Sequence, residues 1–179
     1  MRYRDIRRFL KPYSIVASRT TTLNHAFAAA IAPCDSYDEE KMRVAIGLLG
    51  QDPDKDLDCV YCGLKAETWD HVHATVRDKK FSGFGHRLGN LVPCCKPCNS
   101  RKGNKVWSAF LDSMGLDEVE LTRRKNLIGT YLSEYRLLDS IPDQLPEYQQ
   151  LQELLRQVLE VFARADILAA QVRQKAHMT

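Results

Sequence analysis

The residues with the clearest chemical potential are four cysteines arranged as two Cys-x-x-Cys pairs. Cys59 pairs with Cys62, and Cys95 pairs with Cys98. Each pair can place two thiolates on one side of a tetrahedral ion, so two pairs complete a four-cysteine zinc site. Because four thiolates leave no open coordination position, the spacing predicts one structural Zn²⁺ per chain and places any catalysis elsewhere.

The other two of the six cysteines are not expected to bind the metal. Cys94 competes with its neighbour Cys95, but only Cys95 keeps the two-residue spacer to Cys98. Cys34 lies far from both pairs and is expected to be a buried or partly buried free thiol. Gly63 follows the first pair directly and suits the tight turn of a zinc knuckle.

Three further motifs accompany the cysteines, and together they resemble a known enzyme family. Asp70-His71 follows the first pair, Asn90-Leu91-Val92-Pro93 precedes the second, and Asn99 directly follows Cys98. From about Cys59 to Lys105 this order resembles the HNH endonuclease family, whose ββα-metal motif is commonly interleaved with a four-cysteine zinc site. The resemblance implies metal-dependent hydrolysis of DNA, leaving a 5′-phosphate and a 3′-hydroxyl, as in a restriction, phage, mobile-element or defence nuclease.

The chemistry of such a site follows from the residue types. His71 is the natural general base, since an imidazole with an ordinary pKa near 6.5 can take a proton from water at neutral pH. Asp70 and Asn99 offer the oxygen ligands that Mg²⁺ or Mn²⁺ prefers, and the metal would stabilise charge on the transition state. Asp70 and His71 point to opposite faces if they share a strand. Asn90 corresponds to the family's middle Asn, which braces the histidine strand.

The segment departs from the family's usual pattern at two places. Asn99 stands where many members have a histidine, which resembles the H-N-N variant, and no proline follows Asp70-His71 closely. His73 would share the face of His71 by strand alternation and touch substrate or metal, unless it is a surface or hydrogen-bonded histidine. His86 lies in a loop where it could reach a phosphate, and no catalytic role is assigned to it. The predicted DNA or phosphate contacts, each with a solvated side chain as its alternative, are Lys102, Arg101, Lys105, Arg87, His86 and His73.

Charge is distributed unevenly although the net formal charge is only +3. Residues 1–19 carry six basic side chains against one acidic, and residues 71–105 carry eight against one, whereas acidic side chains predominate in residues 35–58. Either basic segment could meet a polyanion or be a solvated face. The arm from Arg2 to Lys11 is a candidate for phosphate or minor-groove contact, with a targeting or solubility role as its alternative.

Pattern divides the 179 residues into three zones, expected to form one compact domain. Residues 1–50 read as a basic arm and helices, including a helix opened by a Ser36-x-x-Glu39 capping box and stopped at Gly50. Residues 51–105 hold the zinc-bound ββα-metal core, and residues 106–179 return to helices at about Val106 to Met114, Glu118 to Leu138 and beyond Pro146. The predicted fold class is therefore α+β and predominantly helical, with N- and C-terminal helices wrapping the central motif.

The last helix and the overall function each keep an alternative. The apolar stripe of this helix faces the core or forms a homodimer interface; the stripe comprises Leu151, Leu154, Leu155, Val158, Val161, Phe162, Ala165 and Leu168.

A DNA endonuclease acting on double-stranded DNA is the preferred function. A non-catalytic four-cysteine zinc module for DNA binding or interaction, or a Cys-x-x-Cys redox protein, explains fewer of the motifs. With no apolar run of bilayer length and no hydrophobic signal stretch behind Met1, we expect a cytoplasmic protein without a membrane partner.

Overall fold

The computed structural model describes residues 3–137 and 140–176. The described residues form a 3-10 helix, Tyr3–Arg8, followed by six α-helices and four short strands. The helices are α1 (Ile15–Ile31), α2 (Glu39–Leu48), α3 (Lys96–Lys102), α4 (Trp107–Asp112), α5 (Glu118–Tyr135) and α6 (Pro146–Ala176); the strands are β1 (Thr68–His71), β2 (Val76–Arg77), β3 (Lys80–Phe81) and β4 (Leu91–Cys94). The predominantly helical α+β class is confirmed. No helix in these ranges is long and apolar enough to span a bilayer.

The chain divides into two compact units. The first combines the described residues up to Phe27 with those from Asp143 onward, and the second runs from Ala28 to Pro142. The whole of the predicted catalytic core, residues 51–105, therefore lies in the second unit, together with α2 to α5.

A ββα arrangement forms the centre of the second unit. β1 and β4 pair antiparallel, with Thr68 opposite Cys94 and His71 opposite Leu91. α3 follows β4 directly and packs against β1. The connection between β1 and β4 carries the small β2–β3 hairpin. A core of aromatic, aliphatic and cysteine side chains surrounds this motif, and its fully buried members include Tyr61, Val72, Val92, Phe110, Leu111, Ile128 and Tyr131.

Two helix ends differ from those that the sequence predicts: the start of α2 and the end of α5. The residue that caps α2 is Asp38, because its extended backbone lets its side chain accept a hydrogen bond from the Lys41 amide at 3.1 Å; Ser36, the predicted cap, lies outside the helix. α5 ends at Tyr135, followed by Arg136 in the left-handed conformation. The predicted end at Leu138 lies outside the described residues.

The long helix α6 buries only part of its apolar stripe. Leu155 is 7% exposed, whereas Leu154, Val161 and Leu168 expose 53%, 49% and 61% of their surface. The two predicted roles of the stripe, facing the core or forming a homodimer interface, therefore both stay predictions, because helical spacing specifies a face without specifying what covers it. Asp166 on α6 accepts hydrogen bonds from the amides of Ile15 and Val16, which satisfies free donors at the start of α1.

Candidate metal centre and active site

The four cysteines predicted as zinc ligands converge in space. The Sγ atoms of Cys59, Cys62, Cys95 and Cys98 all lie within 4.8 Å of one another, and those of Cys62 and Cys95 are 3.6 Å apart. A tetrahedral ion with Zn–S bonds of about 2.3 Å would hold its sulfurs about 3.8 Å apart, so the cluster has the size of a zinc site. It is the one such His, Cys, Asp or Glu group found in the described residues.

Local backbone and one distant arginine shape the first cysteine pair. Gly63 adopts a φ of +76° and its amide donates to the Cys59 carbonyl at 2.8 Å, which closes the knuckle turn. The guanidinium of Arg124, from α5, donates to the carbonyls of Cys59 and Val60 at 3.3 and 2.9 Å. This buried arginine links the turn at the first cysteine pair to α5, and no local pattern in the sequence predicts that contact.

The fifth nearby cysteine, Cys94, touches the cluster without joining it. Its Sγ lies 3.8 Å from that of Cys59 and it is fully buried. The hydrogen bond with Cys94 lowers the pKa of Cys59 to about 4, and the same contact raises the pKa of Cys94. Of the two adjacent cysteines, only Cys95 has its Sγ in the four-cysteine cluster, so the geometry favours Cys95 over Cys94 as the third ligand. Cys34 is exposed, contrary to expectation, because it lies in an irregular segment after α1.

Asp70 points into the protein and is held by two partners. Its Oδ2 accepts a hydrogen bond from the Tyr61 hydroxyl at 2.8 Å and lies 3.0 Å from the Lys102 ammonium. Lys102 Nζ also donates to the backbone carbonyl of His71 at 2.6 Å. Burial raises the pKa of Asp70, and the Lys102 charge opposes that shift. Asp70 thus has one engaged oxygen, while no described residue forms a hydrogen bond with its Oδ1.

The side chain of His71, on the same strand β1 as Asp70, contacts a second histidine, His86. Its Nε2 lies 2.9 Å from Nδ1 of His86, and the two rings meet edge to face with centroids 4.9 Å apart. Burial, with smaller contributions from His86 and Lys102, lowers the pKa of His71 to about 4. The ring is therefore neutral at pH 7, which is the state that a general base needs.

Asn90 is completely buried and ties two stretches of backbone together. Its side-chain oxygen accepts from the His73 amide at 2.7 Å, and its nitrogen donates to the carbonyls of His73 and Gly85 at 3.1 and 2.9 Å. The backbone carbonyl of Asn90 also accepts from the amide of Val72 at 2.8 Å. The segment after His71 and the loop before His86 are consequently held by one side chain.

Asn99 lies beside β1 and supplies the second predicted metal ligand. Cys95 is the N-cap of α3, and the Asn99 amide donates to its carbonyl at 3.0 Å, so the zinc ligand and Asn99 share one helical turn. The Asn99 side-chain nitrogen donates to the Trp69 carbonyl at 3.4 Å, which places the amide next to Asp70 along the strand. A carboxylate oxygen and an amide oxygen, neither in a hydrogen bond with a described residue, have the chemistry of a Mg²⁺ site.

The predicted DNA contacts separate into exposed and buried residues. Arg101 and Lys105 are exposed and both lie about 6 Å from the Phe110 ring. Arg87 is exposed but bonded to Asp35 at 3.1 Å. Lys102 does not fit the prediction, because its side chain is completely buried in the pair with Asp70. A lysine four residues beyond Cys98 falls on the inner face of α3 rather than at its surface.

The structure gives His73 and His86 ring contacts that the sequence did not predict. β1 ends at His71, so strand alternation does not extend to His73, which instead stacks on Phe84 with centroids 4.4 Å apart. His86 contacts the proposed base directly and also borders a mainly apolar cavity of about 590 Å³, lined among others by Tyr37, Trp69 and Leu88. Asp70 and Asn99 do not line that cavity.

The basic arm is described from Tyr3 onward, so Arg2 lies outside the described residues. Arg4, Arg7 and Lys11 are exposed in the 3-10 helix and just after it. Their exposure is compatible with either of the roles expected for the arm.

Comparison with known proteins identifies the central segment. Residues 59–105 match the family model described as HNH endonuclease. No curated protein and no solved structure matches the chain. The match begins at the first zinc-type cysteine and ends just after α3, so it spans the ββα arrangement and all four clustered cysteines. The segment from residue 59 to residue 105 is therefore similar to HNH endonuclease domains, and its four clustered cysteines are consistent with the zinc-binding variant of that family.

Proposed function

We propose that this protein is a metal-dependent endonuclease that hydrolyses phosphodiester bonds of double-stranded DNA. The observation that carries the proposal is the placement of a neutral, half-buried His71 on an HNH-type ββα motif, beside Asp70 and Asn99. Zn²⁺ at the four cysteines would have a structural role, since such a site has no open position. The exposed Arg101 and Lys105 at the end of α3 would contact phosphates.

His71 would act as the general base. No described residue forms a hydrogen bond with its Nδ1, so this nitrogen is the one available to take a proton from water. The O–H bond of water breaks and an N–H bond forms on Nδ1, while the water oxygen bonds to phosphorus in line with the leaving 3′ oxygen. The P–O3′ bond breaks, and the 3′ oxygen takes up a proton from solvent to give the 3′-hydroxyl. Asn90 would hold the backbone after His71 so that the ring keeps its direction toward the substrate.

Asp70 Oδ1 and the Asn99 side-chain oxygen would hold the catalytic Mg²⁺ or Mn²⁺. When bound, such an ion stabilises charge on the phosphate and on the leaving oxygen. Lys102 has a different role: its ammonium forms an ion pair with Asp70 Oδ2 and donates a hydrogen bond to the carbonyl of His71. The buried ammonium thereby keeps the Asp70 carboxylate in one orientation.

A plasmid assay tests the proposal. Supercoiled plasmid is incubated with zinc-loaded protein and Mg²⁺ or Mn²⁺ at low salt, and nicked and linear products are quantified. We expect cleavage by the wild type, and a loss of about 10²–10⁴-fold in His71→Ala, because general-base catalysis contributes about that factor. His25→Ala, which removes an exposed histidine on α1, is the matched control and should cleave like the wild type.

Two outcomes would count against the proposal. Intact plasmid with every metal, combined with binding of a labelled duplex, would favour a non-catalytic zinc module. Loss of zinc from His71→Ala, measured by metal analysis, would contradict the separation of the structural site from the catalytic one. Because one ββα site cuts one strand, the ratio of nicked to linear product also reports whether two copies act together.

A further inference from the structure

The residue that the sequence does not connect with catalysis is His86. It is the direct partner of His71, with the two ring nitrogens 2.9 Å apart. We propose that His86 is a positioning residue for the general base: it holds the ring of His71 and selects the tautomer whose Nδ1 is free to accept a proton. This inference rests on the proposed nuclease function and names a further residue in its machinery.

The contact between the two ring nitrogens restricts the tautomers that His71 and His86 can adopt. Only one hydrogen can lie between Nε2 of His71 and Nδ1 of His86 when both rings are neutral. If His71 donates that hydrogen, its Nδ1 keeps a lone pair and can act as a base. If His86 donates it, the proton of neutral His71 must lie on Nδ1, and the ring has no free nitrogen. Catalysis by His71 therefore requires His86 Nδ1 to be the acceptor.

The backbone of His86 is held from one side by the segment before α2. Its amide donates to the Pro33 carbonyl at 2.8 Å, and its carbonyl accepts from the Asp35 amide at 3.2 Å. The Asp35 carboxylate then accepts from Arg87 and from the amide of Leu88, at 3.1 and 2.9 Å. A histidine that only approached a mobile phosphate would not need its backbone bonded on both sides.

The residue before His86 is held from the other side. The Gly85 carbonyl accepts from Asn90 at 2.9 Å, and Asn90 is also bonded to His73. A Cβ added to Gly85 would lie 2.1 Å from the Pro33 carbonyl oxygen, so only glycine allows this approach. Asn90 thereby links the segment behind His71 to the loop that carries His86, so one buried amide joins the two stretches of backbone that carry the rings.

A neutral imidazole suits this acceptor role. When His71 has taken a proton from water on Nδ1, the imidazolium still donates its Nε2–H to His86. The positive charge forms on His71 while His86 keeps its own proton, so no second proton transfer is needed. In the orienting role, His86 corresponds to the acceptor that fixes the catalytic histidine in other hydrolases.

The test compares three substitutions at neutral pH on the full zinc-loaded chain. His86→Ala removes the acceptor, His86→Asn returns an acceptor oxygen close to the position of Nδ1, and His25→Ala is the control. We expect kcat to fall about 10- to 100-fold in His86→Ala with KM changed less than about 2-fold. His86→Asn should recover most of the activity, and zinc content should be equal in all variants.

A second measurement does not depend on cleavage. In protein with ¹⁵N-labelled histidine, the ring nitrogens of His71 are assigned by comparison with His71→Ala, and their shifts distinguish the Nε2–H form from the Nδ1–H form. We expect the Nε2–H form in the wild type and in His86→Asn, and a mixture in His86→Ala.

Different failures have different meanings. An inactive wild type would reject the proposed function, while the tautomer spectra would still decide whether His86 controls the ring of His71. An active wild type with unchanged kcat and unchanged tautomer in His86→Ala would overturn the inference alone. A rise in KM with kcat preserved would also overturn it, because it would make His86 a phosphate contact.

Discussion

The ββα motif has two ends that are built in different ways. The zinc-type end is formed by Cys59, Cys62, Cys95 and Cys98, and the His71 end contains Asp70 and His71. At the zinc-type end, all four cysteines come from two short pairs whose spacing is visible in the sequence. At the other end, no short motif indicates which residues meet: Lys102 lies beside Asp70, and His86 lies beside His71. A cysteine cluster can therefore be recognised from short motifs, whereas the surroundings of a buried aspartate or a half-buried histidine are decided by the fold.

Removing zinc should produce the largest effect, because the clustered cysteines are part of the buried core of the second unit. Chelation, or Cys59→Ser, should abolish cooperative unfolding of the unit from Ala28 to Pro142, since structural zinc sites contribute about 10–16 kcal/mol of apparent binding energy. Circular dichroism during thermal unfolding checks this. Cys34→Ser is the matched control, because Cys34 is exposed and lies outside the cluster; a similar loss in that variant would contradict the division of the cysteines.

Lys102→Met should destabilise the His71 end by about 3 kcal/mol. The substitution leaves Asp70 buried without its cation, and breaking a buried ion pair typically costs about 3–5 kcal/mol. The lower end applies because burial raises the pKa of Asp70, so the carboxyl can take up a proton. Urea unfolding with excess zinc measures the change. Adding Asp70→Asn should recover part of the lost stability, and an unchanged or larger loss in the double variant would argue against the pair.

Asn90→Ala should cost about 2–3 kcal/mol and lower cleavage as well. The change removes the hydrogen bonds from Asn90 to the His73 amide and to the buried Gly85 carbonyl, and a buried polar group that loses its hydrogen bond costs about 1–3 kcal/mol. Urea unfolding and the plasmid assay measure the two effects. Stability lost with full activity retained would mean that Asn90 supports the fold without orienting His71.

Cys94→Ala should have the smallest effect, and it tests whether Cys94 is a zinc ligand. Removing a fully buried thiol should cost about 1 kcal/mol from lost packing. Zinc stoichiometry at saturation should stay at one ion per chain, as measured by metal analysis. A chain that no longer binds zinc would show that Cys94 is a ligand and that the contact with Cys59 had been misinterpreted.

Much of the zinc-type end and of the ββα order could be predicted because the signals are local. Residue spacing alone indicates two knuckles, and Asn99 directly after Cys98 indicates that zinc binding and Asn99 share a helix. The match of residues 59–105 to the family model described as HNH endonuclease confirms the predicted family resemblance of this segment. Local spacing also predicted helices near α2, α4, α5 and α6, although their ends differed by the caps that the backbone adopted.

The missed features are long-range. Lys102 was expected near DNA, because a basic residue after Cys98 looks exposed until α3 is packed on β1. The contact between His86 and His71 was not predicted, because nothing in the loop of His86 shows that the segment from Pro33 to Asp35 pairs with it. Arg124 was not expected at all, since its partners lie more than sixty positions away in the first knuckle.

The sequence by itself determined the chemical groups: four thiolates at zinc-type spacing, a histidine next to a carboxylate, and asparagines at two defined places. Residue types and short spacings are properties of the covalent chain, so they can be read without a fold. Only the tertiary structure decided which group is buried, which nitrogen is engaged and which lysine is hidden. Those properties depend on desolvation and on hydrogen bonds between segments that are far apart in the chain, and both arise only when the segments pack together.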